Sequence, residues 1–117
     1  MTERKLFDRE AALERVEGDL ELYFELIDMF FDTSSTEIQG IEEALRSQDS
    51  KLVSSRAHAI KSAVGNLGAM TCFDLAFEIE KAGKAGDLSS IAALLARLTS
   101  EVEGFKREVS AFRAQNS

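Results

Sequence analysis

The sequence contains a single histidine, His58, and its surroundings indicate an exposed nucleophile. Helical spacing at about 100° per residue groups four apolar side chains into one stripe: Val53, Ile60, Val64 and Leu67. His58 points away from that stripe. Its neighbours on the same face are small or cationic: Ser54, Lys61, Ser62 and Gly65. A neutral imidazole nitrogen is a good nucleophile toward phosphorus. Small neighbouring side chains would let a large partner approach it.

Composition excludes several classes of protein. With 117 residues the chain is expected to form one domain, residues 1–117. A net charge of −7 argues against nucleic acid as a partner, because no basic surface would neutralise phosphates. No apolar run approaches the roughly 20 residues that span a membrane, and no signal peptide is recognised. One cysteine, Cys72, excludes an internal disulfide, so we expect a cytoplasmic protein.

The sequence predicts an all-α protein, because it has no proline and is rich in strong helix formers. Bundle helices are expected at about 19–47, 50–66, 69–82 and 89–114, with a short extra N-terminal helix from residue 8 to about 16. Asp8, Asp19 and Asp49 are candidate N-caps, with Ser50 an alternative for the third helix. Short turns between these elements favour an antiparallel up-down four-helix bundle.

Three apolar patterns define the expected inner faces of the helices. The longest helix has alternating steps of four and three at Leu20, Phe24, Ile27, Phe31, Ser34, Ile38, Ile41 and Leu45. The fourth helix has Cys72, Leu75, Ala76, Ile79 and Ala82. The last helix has Ile91, Leu94, Leu98, Val102, Phe105, Val109 and Phe112. Gly68 is predicted to end the third helix, and the run Gly83-Lys84-Ala85-Gly86-Asp87 is predicted to separate the fourth helix from the last.

The run His58-Ala59-Ile60-Lys61-Ser62, followed by Asn66-Leu67-Gly68-Ala69, resembles the signature of histidine-containing phosphotransfer (HPt) domains. That signature is commonly written His-x-x-Lys-Gly, with Gly-Ala some ten residues later. Ser62 stands where the family usually has glycine, although serine is also small. HPt domains are four-helix bundles, so the resemblance covers nearly the whole chain.

The resemblance implies a phosphorelay intermediate. A phosphorylated aspartate of a receiver (response-regulator) domain would donate its phosphoryl group to Nε2 of His58, which would later pass it to another receiver. Lys61 would stabilise the phosphoryl oxygens, and the receiver would supply Mg²⁺, so the chain would need no cofactor or metal of its own. It would be a phosphocarrier rather than an enzyme, since it has no nucleotide-binding glycine loop. Receivers are the implied partners, and a hybrid sensor histidine kinase is a further candidate.

Glu80 is the candidate acceptor for Nδ1 of His58. Folding the third and fourth helices back at residues 67–68 brings positions 77–80 level with the histidine, and many HPt domains have Gln or Glu at this spacing. The alternative is an exposed glutamate paired with Lys84, its i+4 neighbour. Ser62, Gly65 and Lys84 are candidate docking residues, with Gly65 giving clearance for a partner.

Two further questions stay open at the level of sequence. Phe73 and Phe77 lie off the inner face of the fourth helix; they either cover the N-terminal helix, which we favour, or belong to an apolar docking surface. Two other functions also fit: a structural or docking bundle in which His58 is incidental, and the substrate domain of a chemotaxis-type histidine kinase, phosphorylated by a separate catalytic domain.

Overall fold

The computed structural model describes residues 6–116, and within that range every regular element is a helix. In chain order these are α1 (Arg9–Arg15), α2 (Leu20–Arg46), α3 (Ser50–Asn66), α4 (Met70–Lys84) and α5 (Ile91–Gln115). Helix α3 packs against α2 and α4, and α5 packs against the same two helices. Helices α2 to α5 therefore form the four-helix bundle that the sequence predicts. None of these helices is long and apolar enough to cross a membrane.

Aspartate side chains begin three of the helices. A carboxylate oxygen of Asp8, Asp19 and Asp49 accepts a hydrogen bond from the backbone N–H three residues later, at 3.1–3.2 Å. Each such bond satisfies one of the N–H groups that a helix N-terminus leaves free. The caps fix where α1, α2 and α3 start, and all three agree with the candidates from the sequence.

Gly68 ends α3 and also seats the N-terminal segment. Its φ of +82° lies in the left-handed region, and the next amide, of Ala69, donates to the Val64 carbonyl at 2.9 Å. The Gly68 carbonyl accepts from the Asp8 amide at 2.8 Å. A Cβ at Gly68 would come within 2.6 Å of the Asp8 carbonyl oxygen. Glycine is therefore required here both for the turn and for the approach of the chain before α1.

Two of the expected helix boundaries shift by two residues. Helix α4 continues through Gly83 to Lys84 instead of ending at residue 82, and α5 begins at Ile91 rather than at 89. Gly83, the first residue of the predicted break, remains helical, and its backbone lies against α3. Helix α2 runs without interruption over its 27 residues.

The inner face of α2 is rotated relative to the predicted seam. Tyr23, Phe30 and Ala44 are buried, whereas four predicted core residues are only partly buried against the core: Leu20, Phe24, Phe31 and Leu45. Helix α2 packs on both α3 and α5, so its buried face is wider than a seam of alternating steps. In α5, Leu95 is buried in place of Leu94, and in α4 Ala82 is only partly buried.

Tyr23 connects α2 to the end of α3. Its hydroxyl donates a hydrogen bond of 2.7 Å to the carbonyl oxygen of Leu67, and the whole side chain is buried. Burial raises the pKa of the Tyr23 phenol well above its usual range, so the hydroxyl keeps its proton. Phe7 stacks on the ring with centroids 6.2 Å apart. These contacts hold the last turn of α3 against α2.

The substitution Tyr23→Phe removes only the hydroxyl oxygen. We expect the free energy of unfolding to fall by about 1–2 kcal/mol, because a buried carbonyl loses its donor. Urea unfolding followed by circular dichroism measures the change. A variant as stable as the unmodified protein would show that this hydrogen bond does not hold α3 in place.

Candidate functional site

Helices α3 and α4 approach each other closely at Gly83. A Cβ on this glycine would lie 2.9 Å from the Ser54 amide nitrogen and 3.0 Å from the Ser50 carbonyl oxygen, which leaves no room for a side chain. Ser54 is consequently buried and is not part of the exposed surface that the helical pattern predicts around the histidine. The small residues at this crossing bring the preceding turn of α4, with Glu80, against α3.

His58 projects from α3 with 60% of its side chain exposed. Its Nδ1 lies 2.9 Å from Oε2 of Glu80, and Glu80 is buried, with 3% of its surface exposed. Nδ1 thus faces the buried carboxylate, on the side of the ring opposite Nε2. The structure brings together the two residues that the sequence places level with one another on neighbouring helices.

Glu80 is shared by two lysines as well. The Lys61 ammonium nitrogen lies 2.8 Å from Oε1, and that of Lys84 lies 3.4 Å from Oε2. The two interpretations of Glu80, as the partner of His58 and as the i+4 partner of Lys84, therefore describe contacts that exist together. The interpretation that pairs Glu80 with Lys84 expects an exposed glutamate. In the structure the Glu80 side chain is buried instead.

The charge of Glu80 determines which ring nitrogen carries the proton. Burial by itself would raise the pKa of this carboxyl, but hydrogen bonds from Lys61 and His58, together with the Lys61 charge, outweigh it and lower the pKa to about 2. An ionised carboxylate only accepts hydrogen bonds. Nδ1 of the neutral imidazole must therefore be the donor, which leaves the lone pair on Nε2.

Phe73 and Phe77 lie on the α3 side of α4, and the favoured interpretation, that they cover the N-terminal helix, stays a prediction. A Cβ on Gly65 would lie 3.0 Å from the Phe73 ring, so this glycine makes room for an aromatic side chain of its own domain. Phe77 is exposed, and the ammonium groups of Lys61 and Lys81 lie over its ring at 5.0 and 4.7 Å.

The remaining candidates are placed as follows. Ser62 is exposed one turn after His58, on the same face. Lys84 is exposed at the end of α4.

Cys72 is buried in the core, and burial, followed by the charge of Glu101, raises the pKa of its thiol to about 12. In residues 6–116 no group of three or more His, Cys, Asp or Glu side chains could hold a metal ion.

The chain matches the family model of the Hpt domain over residues 25–112, a range that includes His58, Lys61 and Glu80. It belongs to the Hpt domain family. The function of this Hpt protein is histidine phosphotransfer in a phosphorelay. Hpt domains are phosphocarriers that exchange phosphoryl groups with receiver domains of two-component systems.

A solved structure shares the fold over nearly the whole length of both chains. It is the crystal structure of histidine-containing phosphotransfer protein B (HptB) from Pseudomonas aeruginosa PAO1, with a TM-score of 0.86 and 21% sequence identity. The similarity covers 97% of this Hpt protein and 98% of the HptB chain. No curated protein matches the sequence.

Gly83→Ala tests whether α3 and α4 lie too close together at this point for a side chain. Alanine usually stabilises a helix interior relative to glycine by about 0.5–1 kcal/mol. Here we expect the opposite, a loss of about 1–3 kcal/mol, because the added methyl group meets the α3 backbone. Thermal unfolding measures the change.

Gly104→Ala is the matched control for that experiment. Gly104 is also inside a helix, but a Cβ there meets the flexible ends of side chains, Leu6 at 3.2 Å and Arg107 at 3.9 Å. Gly104→Ala should therefore leave the free energy of unfolding unchanged or raise it. Equal effects of the two substitutions would contradict the steric role of Gly83.

Glu80→Gln tests the ionised state of the buried carboxyl. The pKa of Glu80 is about 2 in the folded protein, below the ordinary value of 4.5, so ionised Glu80 contributes stability that is complete above about pH 4.5. This contribution is lost as the pH falls toward 2. The difference in free energy of unfolding between the unmodified protein and Glu80→Gln should therefore shrink between pH 5 and pH 2.5. A difference that stays constant over this range would contradict the lowered pKa.

Proposed function

We propose that His58 is the phosphoacceptor, taking a phosphoryl group from the aspartyl phosphate of one receiver domain and passing it to another. The observation that carries this proposal is the hydrogen bond of 2.9 Å between Nδ1 of His58 and a buried, ionised Glu80, on an imidazole that is 60% exposed. A partner can reach Nε2 directly, and the ring is already in the tautomer that has a free electron pair there.

The transfer step conserves bonds and protons. The Nε2 lone pair attacks phosphorus, the Nε2–P bond forms, and the bond from phosphorus to the aspartyl oxygen breaks, releasing an aspartate carboxylate. Nε2 carries no proton, so no base has to remove one. The ring becomes positively charged as the bond forms, and the Glu80 carboxylate at Nδ1 stabilises that charge. The same steps in reverse order transfer the phosphoryl group from Nε2 to the aspartate of a second receiver.

The cations beside His58 support the electrostatic part of the transfer. Phosphoryl transfer depends mainly on positioning and on neutralising the charge of the equatorial oxygens. Lys61 and Lys84 place two ammonium groups at Glu80, next to the imidazole, in a chain with a net charge of −7. We propose that Mg²⁺ belongs to the receiver, since the Glu80 carboxylate that contacts His58 is already engaged by three donors.

The proposal includes the setting in which the domain works. Receiver domains are the direct partners, and a hybrid sensor histidine kinase is the candidate source of the phosphoryl group. We propose that the domain does not phosphorylate itself from ATP, because it has no nucleotide-binding glycine loop. A cytoplasmic location fits partners of this kind.

His58→Gln tests the phosphoacceptor directly. In this experiment, phosphorylated receiver domains of the same organism and Mg²⁺ are added to three proteins. These are the unmodified protein, His58→Gln and Lys51→Gln, an exposed control substitution on α3. Acid-labile, base-stable label should appear on the unmodified protein and on Lys51→Gln, and should fall at least 100-fold on His58→Gln. Lys51→Gln should match the unmodified protein within about 0.5 kcal/mol, because Lys51 is exposed. His58→Gln should stay folded and lose no more than about 1–2 kcal/mol, because Glu80 loses one hydrogen bond and keeps both lysines.

Other outcomes would contradict the proposal. Label on His58→Gln at the unmodified level would place the phosphoryl group elsewhere. Label from the catalytic domain of a histidine kinase, with none from any receiver, would favour the kinase-substrate function. If no donor labels the folded protein, the docking-bundle function is favoured.

A further inference from the structure

The two lysines that contact Glu80 are held very differently. The Lys61 side chain is 19% exposed, its ammonium nitrogen is 2.8 Å from Oε1 of Glu80, and it also lies 5.0 Å from the centre of the Phe77 ring. The Lys84 side chain is 69% exposed, and its ammonium nitrogen is 3.4 Å from Oε2. Lys61 has a short, covered ion pair and an aromatic neighbour, whereas Lys84 has a single longer contact at the surface.

The cost of releasing each lysine follows from that difference. If Lys61 left, Oε1 of Glu80 would lose its ion-pair partner inside the protein, and a buried charge without a partner is strongly destabilising. If Lys84 left, Oε2 would keep its hydrogen bond to His58, and only an exposed ion pair would be lost. Exposed ion pairs contribute about 0–1 kcal/mol. Lys84 can therefore change partner readily and Lys61 cannot.

Lys84 is also placed to reach a group on His58. Its ammonium nitrogen and Nδ1 of His58 approach the same carboxylate oxygen, so the cation lies beside the imidazole. A phosphoryl group on Nε2 would add a charge of roughly −1.5 to −2 and three acceptor oxygens to this surface. A long, flexible ammonium side chain would be drawn to that charge more strongly than to a carboxylate already neutralised by Lys61.

We propose that Lys84 is the mobile cation of the site: when His58 is phosphorylated, the Lys84 ammonium leaves Glu80 and binds the phosphoryl oxygens, while Lys61 stays on Glu80 as a positioning residue. The proposal rests on His58 as the phosphoacceptor. It divides between two residues a task that the resemblance to HPt domains assigns to Lys61. Only an ion pair is exchanged, and no covalent bond is made or broken.

The chain provides a matched control for Lys84. Lys81 is on the same helix and is exposed, and its substitution changes the net charge by the same amount. Its ammonium group lies over Phe77, at 4.7 Å from the ring centre. An effect of general charge should appear in both variants, whereas a direct contact with the phosphoryl group should be confined to Lys84.

The experiment loads His58 chemically, so that it does not depend on a receiver. Potassium phosphoramidate transfers its phosphoryl group to an imidazole nitrogen and releases ammonia. A ³¹P titration then gives the pH at which the dianionic phosphoryl group on His58 takes up a proton and becomes a monoanion. A cation in contact favours the more charged form, so its removal raises this midpoint. We expect a rise of about 0.5–1 pH unit in Lys84→Ala, little change in Lys84→Arg, and the unmodified midpoint in Lys81→Ala.

Two results would overturn the proposal. One is an unchanged midpoint in Lys84→Ala; if the midpoint rises in Lys61→Ala instead, Lys61 is the phosphoryl ligand. The other is an equal rise in Lys84→Ala and Lys81→Ala, which would indicate a general effect of charge.

A separate arm of the experiment, with phosphorylated receivers, tests the phosphoacceptor role. If receivers fail to label the protein while the chemically loaded Lys84→Ala variant shows the shift, the relay function fails and the role of Lys84 stands. If receivers label His58 and the shift is absent, the reverse holds.

Discussion

A buried carboxylate must be paired, and the arrangement of this site depends on how Glu80 meets that requirement. An ion removed from water without a partner costs several kcal/mol. Glu80 is 3% exposed, and its oxygens contact Nδ1 of His58 and the ammonium groups of Lys61 and Lys84. Because these partners come from α3 and α4, one carboxylate connects the two helices, selects the imidazole tautomer and gathers the cations. The pairing of Glu80 therefore governs both the packing of α3 on α4 and the orientation of the His58 imidazole.

Local patterns in the sequence predict the parts of the structure that depend on single helices. The helical period places His58 on the exposed face of α3, and the aspartate caps fix three helix starts. The all-α bundle follows from the same regularities. The spacing of the turn at residues 67–68 is also local, and it suffices to bring Glu80 level with His58 on the next helix.

The features that the sequence does not predict arise from contacts between helices. The burial of Glu80 depends on how closely α4 approaches α3, and that is decided by the absence of a side chain at Gly83, opposite Ser54. From the sequence, Gly65 is predicted to give clearance for a partner, but in the structure the Phe73 ring occupies the space beside this glycine. In α2, packing on two neighbours turns Tyr23 inward and leaves Phe24 at the edge. Small residues facing each other across α3 and α4 are the one signal in the sequence for this approach.

The single imidazole of this chain has a practical consequence for spectroscopy. With one histidine in 117 residues, the side-chain ring nitrogens give two ¹⁵N signals that need no assignment by mutation. The hydrogen bond of 2.9 Å from Nδ1 to Glu80 makes those signals unequal, since one nitrogen is protonated and the other is not. Any event that breaks the contact between α3 and α4 at this point would move the two signals toward each other. The residue at the centre of the site thus also reports on whether the site is correctly assembled.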